Sequence, residues 1–354
     1  MPEQDSQQRK PLRVWVLSDG TPGHMTASRA IVKALARRRE VAVDRIDTDL
    51  RWGGSRRLLR YALNRGWRLA PAALRMFYRN LVLPSGDGPD VVVASGGKTS
   101  FLAAALGLAT GAEVFYAGTL RGLSGDLFTA TVAPVESGTR GDHIQLRLPA
   151  VDMDWPAEAQ VARGDGEAPR IAVLLGGRTR DHRWDSRWKV LGRALETLAG
   201  QTGAKLLLTT SRRTGARGEG ELAGAIAAEH LEEAVWYGKD ERNVVGDFLG
   251  RSDLAIVTED SMAMTAEAVT SRRPVIVLRP DAIIRSYDWR NTAILDQMTE
   301  DRRILRMSMD ELDASAIDRA KRECVSLETD PIDDLAEALD AYLPQDDRLS
   351  SSAD

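Results

Sequence analysis

Residues 170–185, RIAVLLGGRTRDHRWD, decide the fold class because an apolar strand runs directly into a pair of glycines. Three more segments repeat the order of strand, glycine- or hydroxyl-rich turn and helix start: SDGTPGH (18–24), SGGKTS (95–100) and TEDSMAMTAEA (258–268). Strands that alternate with helices are typical of parallel α/β proteins. Glycine lets a backbone approach a phosphate, and a helix start offers it N–H groups. We therefore expect an α/β protein that binds a phosphorylated ligand at these turns.

The remaining periodicity predicts the other strands and helices. Predicted strands are 12–18, 41–47, 90–95, 113–117 and 127–133, then 170–176, 204–210, 234–237, 254–258 and 274–278. Predicted helices are 24–38, roughly 55–82 and 98–110, then 186–200, 218–231, 261–272, 309–322 and 331–342.

The length of 354 residues predicts two domains. Segment 151–169 is rich in proline, glycine, alanine and charge, and it is the predicted linker. The two domains are expected over 1–152 and 168–330, with a disordered tail over 344–354. Two Rossmann-like open parallel sheets that face each other across a cleft would bind ligands at the carboxyl ends of their strands.

Composition excludes several classes of protein. A formal net charge of −4 argues against a general polyanion binder, so no nucleic-acid partner is expected. The single cysteine, Cys324, rules out an internal disulfide and fits a reducing compartment. Residues 1–11 are polar and lack the apolar core of a secretory signal, and no apolar stretch reaches the length of a membrane span. We expect a cytoplasmic protein, peripheral on a membrane at most.

Two nucleotide-binding motifs fit the chain poorly. A P-loop that ended at Gly97-Lys98-Thr99 would need a glycine at position 92, where the chain has Val92. A dinucleotide fingerprint occurs at 218–223, but it begins well past the strand that ends near Thr210, whereas the mechanism needs glycines at the strand end.

Metal-binding patterns are equally weak. The Asp-Met-Asp triplet at 152–154 matches the D-x-D of metal-dependent sugar transferases, yet it falls in the predicted linker. Asp181, His182 and Asp185 could gather a metal on one turn, although either aspartate could instead cap the next helix. No spacing of histidine and cysteine resembles a zinc site. No metal is expected.

Five segments in order resemble a known family: SDGTPGHMTASRAIVKAL, VVVASGGKTSFLAAAL, IAVLLGGRTRDHRWD, LLLTTSRRT and VTEDSMAMTAEAVTSRRPVIVL. They resemble the mitochondrial-fission Elm-type family of glycosyltransferases, which includes bacterial outer-core sugar transferases, over roughly residues 12–300. The resemblance implies a GT-B fold, with an acceptor-side domain over 1–152 and a nucleotide-sugar-binding domain over 168–330. It further implies a final helix, 331–343, that crosses back to the first domain.

The resemblance also implies which residues bind the donor. Gly176 and Gly177 would approach the diphosphate, and Glu267 would accept hydrogen bonds from the ribose. The helix-start loop beside the phosphate and sugar would comprise Glu259, Asp260, Ser261 and Met262. Arg178 and Arg212 follow two strands of the second half and could stabilise the leaving diphosphate without a metal.

On the acceptor side, Gly23 and His24 would face the reacting sugar. The other acceptor-side candidates lie in the glycine turns of the first half: Gly20, Gly96, Gly97, Lys98 and Thr99. The chain departs from the family pattern at Ala27, where that pattern has a glutamine. This departure bears on contacts to the acceptor or the donor sugar more than on the fold.

His24 is the first candidate for the base that accepts the acceptor's proton, and Asp19 is the second. A histidine needs little pKa tuning to accept a proton near neutral pH. His24 could instead cap its helix or pack locally, and Glu259 and Asp260 could be capping carboxylates. His143 and His230 are predicted to be structural.

An arginine-rich segment occupies residues 51–86, which contain eight arginines and no acidic residue. Tryptophan, tyrosine, phenylalanine and leucine are interleaved with the arginines. This pattern predicts a basic amphipathic helix, or two helices broken near Pro71, that could rest on an anionic membrane through residues 51–82. One alternative is a core-facing helix with a solvated arginine face. A lesser alternative is nucleic acid, since the aromatic residues could stack bases, but no RNA-binding motif accompanies them.

The sequence therefore favours a metal-independent glycosyltransferase with no cofactor beyond its substrate, a nucleotide sugar of the UDP type. The expected partners are that donor and a surface-glycan or lipid-linked acceptor, and the expected location is the cytoplasm, at most peripheral on the inner face of a membrane. Two alternatives stay open. One is a nucleotide-sugar epimerase or hydrolase on the same fold, and the other is a non-catalytic membrane-associated scaffold.

Overall fold

A computed structural model describes residues 10–120, 122–135, 140–154, 167–184, 187–280 and 289–343. The chain divides into two compact units. Unit 1 combines Met1–Asp152 with Pro331–Asp354, and unit 2 comprises Met153–Asp330. Most of the predicted linker, the predicted disordered tail and Asp185 lie outside the described residues.

The described strands and helices alternate along most of the chain. The strands are β1 Leu12–Ser18, β2 Val41–Asp47, β3 Asp49–Leu50, β4 Tyr78–Arg79, β5 Val91–Ser95, β6 Glu113–Ala117, β7 Ala130–Ala133, β8 His143–Gln145, β9 Arg170–Leu174, β10 Lys205–Thr209, β11 Leu231–Val235, β12 Leu254–Thr258, β13 Val275–Arg279 and β14 Leu305–Ser308. The helices are α1 Pro22–Ala36, α2 Ser55–Asn64, α3 Pro71–Leu74, α4 Thr99–Thr110, α5 Trp188–Thr202, α6 Gly215–Ala223, α7 Val245–Arg251, α8 Met262–Thr270, α9 Trp289–Glu300, α10 Ala314–Glu323 and α11 Pro331–Asp340.

Unit 1 contains a six-stranded parallel sheet in the order β2-β1-β5-β6-β7-β8. Strand β5, VVVAS, is buried along its whole length, as expected for a parallel strand covered by helices on both faces. From the central pair β1 and β5, the chain connections run outward in opposite directions. Ligands of open α/β sheets bind at such a reversal, beside the carboxyl ends of the two strands.

Unit 2 contains a second six-stranded parallel sheet in the order β11-β10-β9-β12-β13-β14. This is the strand order of a dinucleotide-binding Rossmann fold, and its connections reverse between β9 and β12. Strand β12, LAIVT, is fully buried. The glycine pair that follows β9 and the acidic pair that follows β12 thus lie next to each other.

Helix α11 belongs to unit 1 although it follows unit 2 in the sequence. Its residues Ile332, Leu335, Ala336 and Leu339 recur at helical spacing and lie in one core cluster with β1 and α1. The ring of Tyr342, just past the helix, lies 6.3 Å from that of Phe115 in β6. The C-terminal helix therefore completes the core of the first unit.

A single helix over 55–82 is wrong, whereas the alternative of two helices broken near Pro71 agrees with α2 and the short α3. Helix α2 ends at Asn64, because Gly66 adopts a left-handed conformation with φ of +72° and two backbone bonds close the helix. Gly66 N–H donates to Leu63 O at 2.8 Å and Trp67 N–H donates to Ala62 O at 3.0 Å, which is a Schellman motif. Pro71 then starts the four-residue helix α3, and the chain continues into β4.

Other differences concern short elements. The predicted helix over 218–231 ends at Ala223, and β11 begins at Leu231 instead of residue 234. The prediction lacks β3, β4, β8, β14, α7 and α9. Two of these strands have two residues and β8 has three, which is too short for an alternating pattern to stand out. No helix within the described ranges is both long and apolar enough to cross a membrane.

Replacement of Leu339 by alanine tests the place of α11 in the core of unit 1. The side chain is completely buried, so its truncation should leave a cavity and lower the free energy of unfolding by about 2–5 kcal/mol. Denaturant unfolding followed by circular dichroism measures the change. The exposed Glu337 on the same helix provides the control, and Glu337→Ala should unfold like the unmodified protein. Equal unfolding midpoints for the two variants would contradict this packing.

Candidate functional site

The carboxyl edge of the unit 2 sheet brings the glycine pair and the acidic pair together. Gly176 N–H donates to Thr258 Oγ1 at 2.7 Å, and Gly177 N–H donates to Asp260 Oδ2 at 2.7 Å. Both glycine N–H groups are therefore engaged within the unit. A diphosphate at this turn would have to be bound by other donors.

Both positions need glycine for packing. A Cβ atom at Gly176 would lie 2.1 Å from Asp260 Oδ2, and one at Gly177 would lie 2.2 Å from the backbone carbonyl carbon of Arg213. Ser211 Oγ also donates to Gly176 O at 2.7 Å. The turn after β9 is thus fastened to the turns after β10 and β12, and this explains the glycine pair without reference to a ligand.

Both members of the acidic pair are buried, and Asp260 is the one that bonds to the glycine turn. Its side chain is completely shielded from solvent, and Oδ2 accepts hydrogen bonds from Gly177 N–H and from Arg213 Nη2, the latter at 2.7 Å. Burial raises the pKa of the Asp260 carboxyl, although the charge of Arg213 and the Gly177 N–H act in the opposite direction. Asp260 therefore ties the turns after β9, β10 and β12 together.

Glu259 is ionised and surrounded by cationic side chains. Its carboxylate accepts a hydrogen bond from Arg306 Nε at 2.7 Å, and it lies 3.3 Å from His182 Nε2 and 3.5 Å from Arg279 Nε. Burial favours the neutral form, but the hydrogen bonds from His182 and Arg306 and the arginine charges outweigh it and lower the pKa of Glu259 to about 2. Glu259 thus links β12 to β13, β14 and the loop that follows Gly177.

His182, considered above as a metal ligand, is held by protein groups on both sides. Its Nδ1 lies 2.9 Å from Thr179 Oγ1, and its Nε2 faces Glu259. Within the described ranges, no cluster of three or more histidine, cysteine, aspartate or glutamate side chains could hold a metal ion. Of the two other suggested ligands, Asp181 is half-buried and Asp185 lies outside the described residues.

The start of helix α8 offers donors for an anion. The first three N–H groups, those of Met262, Ala263 and Met264, have no acceptor within an α-helix. Ser261 occupies the N-cap position but its side chain makes no capping hydrogen bond; instead Ser261 N–H donates to Thr258 O at 3.2 Å. Glu267 lies further along this helix and is half-buried.

Arginines surround this edge of unit 2. Those on the turns after β9 and β10 are exposed: Arg178, Arg180, Arg183, Arg212 and Arg213. Arg279, at the end of β13, has 43% of its side chain exposed. A cation-rich edge beside a helix start is suited to a phosphate or diphosphate.

The corresponding edge of unit 1 holds His24 against Asp19. His24 Nδ1 lies 3.0 Å from each carboxylate oxygen of Asp19. Asp19 is 6% exposed and also accepts a hydrogen bond from Thr21 N–H at 3.1 Å. Burial opposes ionisation of Asp19, but the hydrogen bond and charge of His24 prevail and place the pKa of this carboxyl below its ordinary value.

Gly96 makes room for the His24 ring. A Cβ atom on Gly96 would lie 2.3 Å from His24 Nδ1, and the φ of +94° at this residue favours glycine. The imidazole therefore rests on the turn after β5, at the reversal between β1 and β5. His24 has 37% of its side chain exposed, and its Nε2 makes no hydrogen bond to any described residue.

The other acceptor-side candidates differ in burial, in hydrogen bonds and in backbone conformation. Thr99 is buried, and its hydroxyl donates to Ser95 O at 2.6 Å and to Gly96 O at 2.7 Å, so it serves the start of α4. Lys98 Nζ lies 3.8 Å from Asp49 Oδ1. Gly20 has a positive φ of +74°, Gly97 is half-buried beside Gly96, and Gly23 lies in the first turn of α1.

Arg279 and Arg306, the two arginines that neutralise Glu259, were not among the predicted site residues. Arg306 lies in β14, a strand that was not predicted. Arg279 ends β13, and only the strand order places it beside β12. No local motif identifies either residue as a partner of Glu259.

The profile of a family described as Mitochondrial fission ELM1 matches residues 22–338, which is most of the chain. The chain belongs to the Mitochondrial fission ELM1 family. The resemblance inferred from the sequence motifs is therefore confirmed. No curated protein sequence matches this ELM1-family chain.

Solved structures resemble the ELM1-family chain in fold. A Listeria monocytogenes protein described as a UDP-N-acetylglucosamine 2-epimerase has a TM-score of 0.54 at 12% identity, over 94% of this chain and 92% of that one. The S. aureus MnaA–UDP complex has a TM-score of 0.51 at 13% identity, over 92% and 91% of the two chains. The glycotransferase of kitacinnamycin has a TM-score of 0.51 at 12% identity, over 95% and 100%. These likenesses show the fold, and they confirm the prediction of a GT-B architecture.

Replacement of Glu259 by glutamine tests the ionised network of unit 2. Because the pKa of Glu259 falls from 4.5 to about 2 on folding, its charge contributes stability that is present above pH 4.5 and is lost as the pH falls towards 2. Glu259→Gln should lower the free energy of unfolding by about 3 kcal/mol at neutral pH. Urea unfolding at a series of pH values measures the difference, which should narrow in acid.

The exposed Glu300 in the same unit supplies the control for this experiment. Glu300→Gln should follow the pH profile of the unmodified protein. A difference between the Glu259 variant and the unmodified protein that stays constant from pH 7 to pH 3 would contradict the ionised network.

Proposed function

We propose that this ELM1-family chain is a metal-independent glycosyltransferase that moves a sugar from a UDP-sugar to a glycolipid or surface-glycan acceptor. The observation that carries the proposal is the His24–Asp19 pair at the sheet reversal of unit 1. One ring nitrogen of His24 is held by a buried carboxylate, and the other makes no hydrogen bond to a described residue. This is the arrangement that a general base requires.

The donor is proposed to bind at the carboxyl edge of unit 2. The start of α8 and the exposed Arg178 and Arg212 supply the positive charge that a diphosphate needs, and Glu267 is the proposed partner of the ribose hydroxyls. A uridine nucleotide is chosen because a GT-B neighbour from S. aureus is a complex with UDP. Arginines and helix N–H groups serve as the proposed diphosphate partners, so the proposed reaction needs no metal.

The proposed transfer uses His24 to take one proton. His24 Nε2 accepts the proton of the acceptor hydroxyl as that oxygen bonds to the anomeric carbon of the donor sugar. The bond between the anomeric carbon and the diphosphate oxygen breaks, and UDP leaves with the bonding electrons. Ionised Asp19 keeps Nδ1–H oriented and stabilises the imidazolium that forms. The cations and helix start of unit 2 stabilise the charge that builds on the diphosphate.

An epimerase or a hydrolase is the second candidate, because the Listeria protein described as an epimerase shares the fold. Either enzyme would act on the donor without an acceptor, whereas a transferase requires one. A scaffold that keeps only the fold would bind no donor. Incubation of the protein with a UDP-sugar, with and without a detergent extract of membrane glycolipids, separates the three functions.

The acceptor is proposed to be lipid-linked and the chain to act at the inner face of a membrane. The support for this location is the basic and aromatic segment over residues 51–82, which lies in the same unit as His24. A peripheral enzyme with such a segment would meet its acceptor at the bilayer surface.

Replacement of His24 by alanine should abolish transfer and spare donor binding. Loss of a general base costs about 10²–10⁴-fold in rate. Release of UDP from the UDP-sugar in the presence of the glycolipid extract measures transfer, and calorimetric titration with UDP measures binding. Asp19→Asn should also slow transfer, because it removes the charge that orients the ring. His230→Ala is the control, since His230 is bound to Glu196 in unit 2. Normal transfer by the His24 variant would refute the assignment of the base.

Replacement of Glu267 by alanine should weaken the binding of UDP. At about one hundred times its Kd, a ligand that binds only the folded protein stabilises it by about 2.7 kcal/mol. A thermal-shift screen against UDP, GDP, CMP, ADP and NAD should give a shift with UDP that is lost in Glu267→Ala and kept in Glu300→Ala. No shift with any nucleotide would favour the scaffold, and a shift with NAD alone would favour a dinucleotide enzyme.

A further inference from the structure

The arginines of residues 51–82 lack the carboxylate partners that many arginines elsewhere in the chain have. None of the eight forms an ion pair with a described carboxylate. Elsewhere, arginines with a carboxylate oxygen within 4 Å are common in both units: Arg13, Arg29, Arg37, Arg45, Arg170, Arg187, Arg213, Arg217, Arg242, Arg251, Arg279, Arg306 and Arg319. The concentration of unneutralised charge in one segment points to an anion supplied from outside the chain.

Helix α2 has one face that is buried in the protein and another that lines a cavity. Its buried face comprises Ser55, Leu59, Ala62 and Leu63. The other face lines a cavity of about 370 Å³ with residues that recur at helical spacing: Arg57, Arg60, Tyr61, Asn64 and Arg65. Three guanidinium groups thus meet at one concave site.

Contacts within the protein hold this cavity in shape. Asn64 Nδ2 donates to Gly122 O at 3.0 Å, and Asn64 Oδ1 accepts from Ser124 N–H at 3.0 Å. Gly122, with a φ of +80°, lies against Arg60, because a Cβ atom there would be 3.1 Å from Arg60 Nε. The Arg65 guanidinium lies 4.8 Å from the centre of the Tyr61 ring. These contacts within the protein hold the side chains of Asn64, Arg60 and Arg65 in the wall of the cavity.

Arg60 carries a further sign of a missing partner. Its Nε is buried and makes no hydrogen bond to any described residue, although the side chain lines the cavity. Buried donors are almost always paired. A phosphate in the cavity would offer acceptor oxygens to the guanidinium.

Exposed apolar side chains cluster in the same segment. Six of the nine large hydrophobic residues that are exposed in the described ranges fall between residues 52 and 82: Trp52, Leu58, Tyr61, Trp67, Met76 and Val82. The rings of Tyr61 and Trp67 meet edge to face at 6.2 Å, and Leu58 lies one helical turn before Tyr61. An apolar cluster therefore adjoins the basic cavity.

We propose that the cavity of Arg57, Arg60, Tyr61, Asn64 and Arg65 binds the phosphate of an anionic phospholipid at a bilayer surface. In this arrangement Leu58, Tyr61 and Trp67 enter the interfacial region, where aromatic and aliphatic side chains are stabilised. The cavity gives the membrane contact a defined headgroup site in addition to diffuse attraction. This inference rests on the proposed function only in taking the bilayer as the place where the acceptor is met.

A bilayer fits the patch better than a single-stranded nucleic acid does. Base stacking uses open aromatic faces in succession, whereas Arg65 lies over one face of the exposed Tyr61 ring and Trp67 meets that ring edge to face. Leu58, Met76 and Val82 have no function in base stacking, whereas all three can enter the boundary between headgroups and acyl chains.

Sedimentation with lipid vesicles tests the cavity. The full chain should bind phosphatidylcholine vesicles that contain phosphatidylglycerol and should not bind vesicles of phosphatidylcholine alone. The double variant Arg57→Gln/Arg60→Gln removes two charges from the cavity. Its matched control, Arg68→Gln/Arg75→Gln, removes two exposed charges of the same segment outside the cavity.

A defined phosphate site predicts that the cavity variant loses at least about tenfold more of its vesicle partition coefficient than the control does. Equal losses would mean diffuse attraction and would overturn the proposal. Preferential binding of a single-stranded oligonucleotide over the anionic vesicles would overturn it as well. Thermal unfolding of both variants verifies that each remains folded.

A second pair of variants tests the apolar part of the patch. Leu58→Ser should weaken vesicle binding severalfold, because Leu58 is exposed and the substitution removes apolar surface from the proposed membrane contact. Val325→Ser, at an exposed valine of unit 2, should bind as the unmodified protein does. Vesicle binding that is unchanged by Leu58→Ser would argue against insertion of this cluster.

The vesicle assay is independent of the transferase assay. His24→Ala should still bind vesicles if the lipid site exists and the transferase assignment is wrong. Arg57→Gln/Arg60→Gln should still be stabilised by UDP if the donor site exists and the lipid site does not. The two proposals can thus fail separately.

Discussion

In each unit, a polar side chain packs against a glycine that follows a neighbouring strand. The side chain occupies the space that a Cβ atom at this glycine would need. In unit 2, the Asp260 carboxylate fills the space beside Gly176, after two adjacent parallel strands. In unit 1, the His24 ring fills the space beside Gly96 in the same way. A larger residue at either glycine would displace the polar group. The glycine turns thus bring a titratable side chain to the sheet reversal of each unit.

The two adjacent carboxyl groups of unit 2, Glu259 and Asp260, have pKa values shifted in opposite directions by their burial and their partners. Glu259 meets two arginines and a histidine, and its pKa falls to about 2. Asp260 is buried with one arginine and one backbone N–H, and its pKa is raised. Glu259 therefore stays ionised, whereas burial opposes the ionisation of Asp260.

The sequence was sufficient for the fold class and for the turns, because those features are local. The sequence pattern of an apolar strand, a glycine and a helix start can be recognised within about ten residues. This pattern occurs in the sequences of both parallel sheets. The segment over 55–82 was not predicted correctly, since Gly66 closes a helix by a Schellman motif that the amphipathic pattern does not reveal. Amphipathicity reports which residues share a face, but not where the helix ends.

The partners of the site residues required the tertiary structure. The pairing of His24 with Asp19 is close in sequence, and both residues were candidates. The support of His24 by Gly96 and of Glu259 by Arg306 joins residues 72 and 47 positions apart, and only the strand order brings them together. The engagement of the Gly176 and Gly177 N–H groups within the protein likewise depends on side chains from β12 and from the turn after it. The residue types predicted which charged and polar groups lie at the carboxyl edges of the sheets. The strand order determined which of these groups already bond within the protein.

Amide hydrogen exchange of the full chain with and without UDP is the most direct test of the central claim, that the carboxyl edge of unit 2 binds a nucleotide. The N–H groups of Met262, Ala263 and Met264 start helix α8 without intrahelical acceptors, and they should become protected when UDP binds. The Gly176 and Gly177 N–H groups, which already donate to Thr258 and Asp260, should change little. Absence of protection at the start of α8 with saturating UDP, or protection confined to unit 1, would contradict the account.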